Sequence, residues 1–84
     1  MLNHSGQRIR IARYMHKPKL TQDDLAALMH ARHNILLTQK AISRIENGQR
    51  YVTDLELIAF AKVLQVSIPW LLGETPDPTP GRGR

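Results

Sequence analysis

The chain has 84 residues, no cysteine and a net charge of +5, with an isoelectric point near 10.3. That length suits one small domain with a modest core and leaves no room for an enclosed, lidded active site. Without cysteine there is neither a disulfide framework nor a thiolate zinc site, and no apolar run approaches the ~20 residues that span a bilayer.

Charge is unevenly spread. Residues 1–20 carry Arg8, Arg10, Arg13, Lys17 and Lys19 with no acid, and residues 38–50 set Lys40, Arg44 and Arg50 against Glu46 alone. Residues 51–80 reverse the balance, with Asp54, Glu56, Glu74 and Asp77 against Lys62. A basic N-terminal half points to a polyanion partner, with a solvated basic surface as the competing reading of charge alone. The arginines also interrupt the apolar positions of the opening stretch, unlike a signal peptide, so the cytoplasm is the expected location.

In chain order, a first helix is expected over 5–16, starting near Asn3 to Gly6 and ended by Lys17-Pro18-Lys19. Leu20-Thr21-Gln22-Asp23-Asp24-Leu25 then reads as a helix start. Thr21 can accept from unpaired first-turn N–H groups, Leu20 and Leu25 form a hydrophobic staple, and the aspartates suit the positive helix end. The same pattern recurs at Leu37-Thr38-Gln39-Lys40-Ala41-Ile42 and at Val52-Thr53-Asp54-Leu55-Glu56-Leu57, where Glu56 completes a capping box. A fourth start, Val66-Ser67-Ile68-Pro69-Trp70-Leu71, places proline in a first turn.

These starts predict an all-α chain of five helices at about 5–16, 22–32, 39–47, 54–64 and 68–72, with Gly48 and Gly73 ending the third and fifth. Leu25, Leu28 and Met29 share one face, and Leu57, Ile58, Ala61 and Leu64 another. Residues 1–73 form the expected domain. Three prolines and two glycines among residues 74–84 cannot hold a packed element, so this segment is expected to be a disordered tail, either solvated or a basic arm touching phosphates.

Enzymatic chemistry finds no support. There is no Gly-rich phosphate loop, and Ser5, Ser43 and Ser67 lack His and acid partners at motif spacing. His30 and His33 stand at i, i+3, but no nearby carboxylate or thiol completes a metal site. His4 and His16 read as surface residues that gain charge near phosphate. The expectation is therefore a non-enzyme with no metal, cofactor or small-molecule ligand.

The informative stretch is Thr38 to Arg50. On a helix capped by Thr38, Gln39, Lys40, Ser43 and Arg44 lie away from Ile42 and Ile45, which face the core. Gln pairs bidentately with adenine, and Lys or Arg reaches guanine O6 and N7 in a major groove. Asn47-Gly48-Gln49-Arg50-Tyr51 adds a run of backbone N–H groups and side-chain donors for phosphate.

Thr21-Gln22-x-x-Leu25-Ala26 followed by Ala41-Ile42-Ser43-Arg44-Ile45-Glu46-Asn47-Gly48 resembles the Cro/C1-type (XRE-family) helix-turn-helix, with the helix pair at about 22–47. Ile9-Arg10-x-x-Arg13 before it and Leu57 to Leu72 after it extend the resemblance over about residues 6–74. The resemblance implies a compact five-helix, lambda-repressor-like domain whose third helix enters the major groove of double-stranded DNA. Gln39, Lys40, Ser43 and Arg44 then fall where bases are read. Gln22, Thr38, Asn47, Gln49, Arg50 and Tyr51 fall at phosphate contacts, with Gln22 also bracing Gln39. Arg13 and Glu46 match a pair tying the first helix to the third.

The implied function is a transcription regulator, a repressor acting as a homodimer on a near-palindromic operator, bacterial or phage-encoded and nucleoid-associated when bound. Ile68, Trp70, Leu71 and Leu72 are candidates for the dimer contact, with packing against the first helix as the alternative for Trp70. An antitoxin of a toxin–antitoxin pair and a protein-interaction module without DNA binding are the competing functions.

Two departures stand out. Thr21 to Ile42 is six residues longer than the common family form, with Met29 to Leu37 where a glycine turn is usual. Gln65 also occupies a position where glycine is frequent and a left-handed cap prefers it.

Overall fold

The computed structural model describes residues 5–80, and His4 and the last four residues of the tail lie outside them. The described residues contain five helices and no strand: α1 (Ser5–Met15), α2 (Gln22–His33), α3 (Gln39–Glu46), α4 (Asp54–Leu64) and α5 (Ile68–Leu71). Each predicted start is built as the sequence reading expects. Thr21 and Thr53 close capping boxes with Asp24 and Glu56, Thr38 accepts from the Ala41 N–H, and Ser67 accepts from the Trp70 N–H. Losing one such cap costs about 0.5–2 kcal/mol, so four in a small domain fix where helices begin.

The α2–α3 connection has no glycine, and Asn34 does glycine's work. It stands at φ 56°, ψ 35°, and its N–H donates to the His30 carbonyl. Asparagine tolerates this left-handed region better than most side chains. The extra residues are therefore shared between a twelve-residue α2 and a non-helical link ending in the Thr38 cap. Gln65 ends α4 in the same conformation at φ 60°, without a side chain suited to it. Gly48 (φ 76°) closes α3, its N–H donating to Ile45 O while Gln49 N–H reaches Arg44 O. That is a Schellman closure, and it turns the chain sharply away from the recognition helix.

α1 packs on α3, α4 and α5, and α2 packs on α3 and α4. Ile9, Leu25, Met29, Ile42, Ile45, Phe60, Val63 and Leu71 are the innermost apolar side chains. One expected face of α4 needs correction: Ile58 is exposed, and Phe60 and Val63 point inward with Ala61 and Leu64. An almost continuously apolar helix gives periodicity little to choose between, and α2 and α5 choose instead.

Gly6 lets α1 approach α3 closely. A β-carbon there would collide with the Ile45 carbonyl of α3, so the two helix backbones touch at this point. Gly6, Arg10 and Arg13 stand at i, i+4 and i+7, hence on one face of α1. Contact at Gly6 thus brings both arginines over the end of α3.

Residues 74–80 hold no helix, yet they turn back over the α4–α5 corner, where Ser67 N–H donates to Pro78 O. Here the structure differs from the expected free tail. Asp77 and Thr79 form a local turn, and each proline lowers the entropy lost on docking.

Candidate nucleic-acid interface

Glu46, 2% exposed, is the anchor of the site. Arg13 grips its carboxylate through Nε (2.7 Å) and Nη2 (2.8 Å), and spends Nη1 on the Leu20 carbonyl. Arg10 adds Nε at 3.3 Å and reaches Asn47 Oδ1 at 2.8 Å. Gln22 Nε2 donates to the same carboxylate at 3.0 Å. Burial by itself would raise the Glu46 pKa, but the hydrogen bonds from Arg13, Gln22 and Arg10 prevail and hold it below 4.5. The Arg13 guanidinium is raised in turn, first by its hydrogen bond to Glu46.

This network has a direction. A carboxylate only accepts, so Gln22 must turn its amide N–H₂ toward Glu46 and its Oε1 away. Gln39 Nε2 then donates to that Oε1, at 2.5 Å. The first residue of α3 is thereby fixed with one N–H and its own Oε1 left for another partner. Gln39, Lys40 and Arg44 are exposed on α3 and Ser43 is partly so, while Ile42 and Ile45 are buried. The first turn of α3 contains no acid, whereas α2 has Asp23 and Asp24 and α4 has Asp54 and Glu56. Its positive helix end is left without a carboxylate.

Thr38, Asn47, Gln49 and Tyr51 are exposed, flanking the two ends of α3. Arg50, in the same loop, has partners within the fold: Nη1 and Nη2 clasp Glu56 at 3.0 and 3.1 Å, and Nη1 also donates to Tyr51 O. Burial again opposes the Glu56 charge, and Arg50 and Thr53 outweigh it, so its pKa is lowered. Arg50 therefore pins the loop to the α4 cap. Arg10 and Gly6 were missed as site-forming residues; their i−3 and i−7 spacing from Arg13 is the signal that marks them.

The dimer-contact candidates divide. Trp70 (5% exposed) and Leu71 (0%) are core residues, and Arg8 stacks over the Trp70 ring at 5.0 Å while donating to the Trp70 carbonyl. Burial against α1 and α4 withdraws both side chains from any partner. Leu72 (38%) and the half-buried Ile68 stay accessible.

A capped helix, a bend and a second capped helix with an exposed polar face define a helix-turn-helix protein. The Helix-turn-helix family profile matches residues 9–71. The chain belongs to the Cro/C1-type (XRE) helix-turn-helix family, a family of DNA-binding regulators. No curated protein and no solved structure matches it. No helix among the described residues is long and apolar enough to cross a membrane.

Proposed function

We propose that the protein is a sequence-specific transcriptional repressor that inserts α3 into the major groove of a near-palindromic operator as a cytoplasmic homodimer. The observation that carries this reading is the oriented chain Glu46–Gln22–Gln39 at the acid-free start of α3. The free Oε1 and N–H of Gln39 complement adenine N6 and N7, and Lys40 and Arg44 can donate to guanine. Thr38, Asn47, Gln49 and Tyr51 supply phosphate contacts on either side, which position the helix without reading sequence. One eight-residue helix reads few base pairs, so specificity calls for two half-sites about 34 Å apart, one DNA turn. Two accessible apolar side chains, Ile68 and Leu72, support the dimer.

Selection from a random DNA library followed by a salt titration tests this directly. The expected result is a two-fold symmetric site whose affinity falls steeply with salt. Binding that is absent at low ionic strength would refute the DNA reading and leave a protein-interaction module. A symmetric site that activates transcription in a reporter would refute only the repressor assignment.

A further inference from the structure

Leu36 stands in the link that lengthens the α2–α3 turn, and at 77% it is the most exposed large apolar side chain among the described residues. Its neighbours Ile35 and Leu37 are half-buried and pack against the core, so the non-helical segment turns Leu36 the opposite way. The segment is held at both ends: Ile35 N–H donates to Met29 O at 3.2 Å, and Thr38 Oγ1 accepts from the Ala41 N–H at 3.0 Å. Leu36 is thus fixed before any partner arrives, which lowers the ordering cost of binding.

Leu36 precedes Gln39 by three positions, a reach of about 11 Å at most, or roughly three base-pair steps of DNA. From Leu25 to Ile45 the sequence has no carboxylate and carries His30, Arg32, His33, Lys40 and Arg44. Leu55, at 73% nearly as exposed, lies instead in the acidic first turn of α4 beside Asp54, where a polyanion is repelled. An apolar side chain in basic surroundings needs an apolar group on the polyanion, and in the major groove that group is the thymine C5-methyl.

We propose that Leu36 is a further specificity-determining residue, packing on a thymine C5-methyl within about three base pairs of the one read by Gln39. The inference rests on the DNA-binding reading and adds an apolar contact from the lengthened link, which the polar face of α3 does not supply.

The test uses the site selected from a random library, with its thymines replaced one at a time by deoxyuridine, which lacks only the methyl. In wild type, one thymine per half-site near the base that couples to Gln39→Ala should lose about fourfold in affinity on replacement, the value of one buried methyl. In Leu36→Ala that loss should vanish, while the urea midpoint stays unchanged because the side chain is exposed. At the same position 5-methylcytosine should bind more tightly than cytosine in wild type and equally in Leu36→Ala. A deoxyuridine profile in Leu36→Ala identical to wild type would overturn the proposal while leaving DNA binding intact. Equal weakening of Leu36→Ala on thymine and deoxyuridine DNA would show a sugar contact and also overturn it. So would a loss of self-association without DNA, with the profile unchanged, which would place Leu36 against the sister subunit. Wild-type protein with no salt-sensitive DNA binding would overturn the underlying reading instead.

Discussion

Four donors converge on the Glu46 carboxylate, two from Arg13, one from Arg10 and one from Gln22. Removing the charge strands a buried guanidinium, which typically costs about 3–5 kcal/mol. Glu46→Gln should lower unfolding stability by that order in urea at pH 7. Because Glu46 and Glu56 titrate below their usual 4.5 when folded, the stability they confer is full above that value. It is lost as pH falls through the depressed folded values. Wild type should therefore weaken in urea titrations as pH falls below about 4.5, and Glu46→Gln should weaken less over the same fall. Arg13 and Arg50 are raised above the ordinary guanidinium value and add no pH dependence in this range. At Gln65 the left-handed backbone carries a β-carbon, a penalty of about 1–2 kcal/mol that glycine avoids. Gln65→Gly should raise the thermal midpoint, and Asn34→Gly should leave it nearly unchanged, since Asn already favours φ > 0.

At the scale of the helices, α1 and α3 meet through a bare backbone contact at Gly6. Gly6→Ala gains helix propensity, yet it must push α3 away, and overpacking of this kind costs about 1–3 kcal/mol. The variant should be destabilised by denaturant melting and should bind DNA more weakly per folded molecule, because Arg10 and Arg13 lose their reach to Glu46. On α3 itself, roles separate by face. Gln39→Ala and Arg44→Ala should relax base preference by about 1–3 kcal/mol per contact in competition binding, with little loss on random DNA. An equal loss on specific and random DNA for Arg44→Ala would move it to the phosphate contacts.

For the whole molecule, the basic N-terminal half and the acidic stretch 51–80 place α3 and α5 in different electrostatic settings. The proposed operator contact falls in the first setting and the proposed dimer contact in the second. Leu72→Glu adds a charge at an exposed position, so the fold should persist by circular dichroism. Sedimentation should show the dimer weakened roughly tenfold or more, about 1.4 kcal/mol. Unchanged self-association would remove Leu72 from the interface. The turned-back segment 74–80 borders the same corner and adds Pro78 and Pro80 to it.

Local chemistry was written in the letters. Thr21, Thr38, Thr53 and Ser67 cap the helices they precede, because an N-cap depends on three or four neighbouring residues and little else. The exposed face Gln39, Lys40, Ser43 and Arg44 follows from the same short-range periodicity. What only the tertiary structure decided depends on how helices approach one another. Gly6 had no meaning until α3 lay against it, and Arg10 could not be assigned to Glu46 from an interval of 36 residues. Trp70 turned inward because α1 offers Arg8 and a core to cover, and Arg50 pins its loop because Glu56 lies within reach. Asn34 took the left-handed turn that a glycine usually makes, since only the docking of α3 on α2 demands that bend.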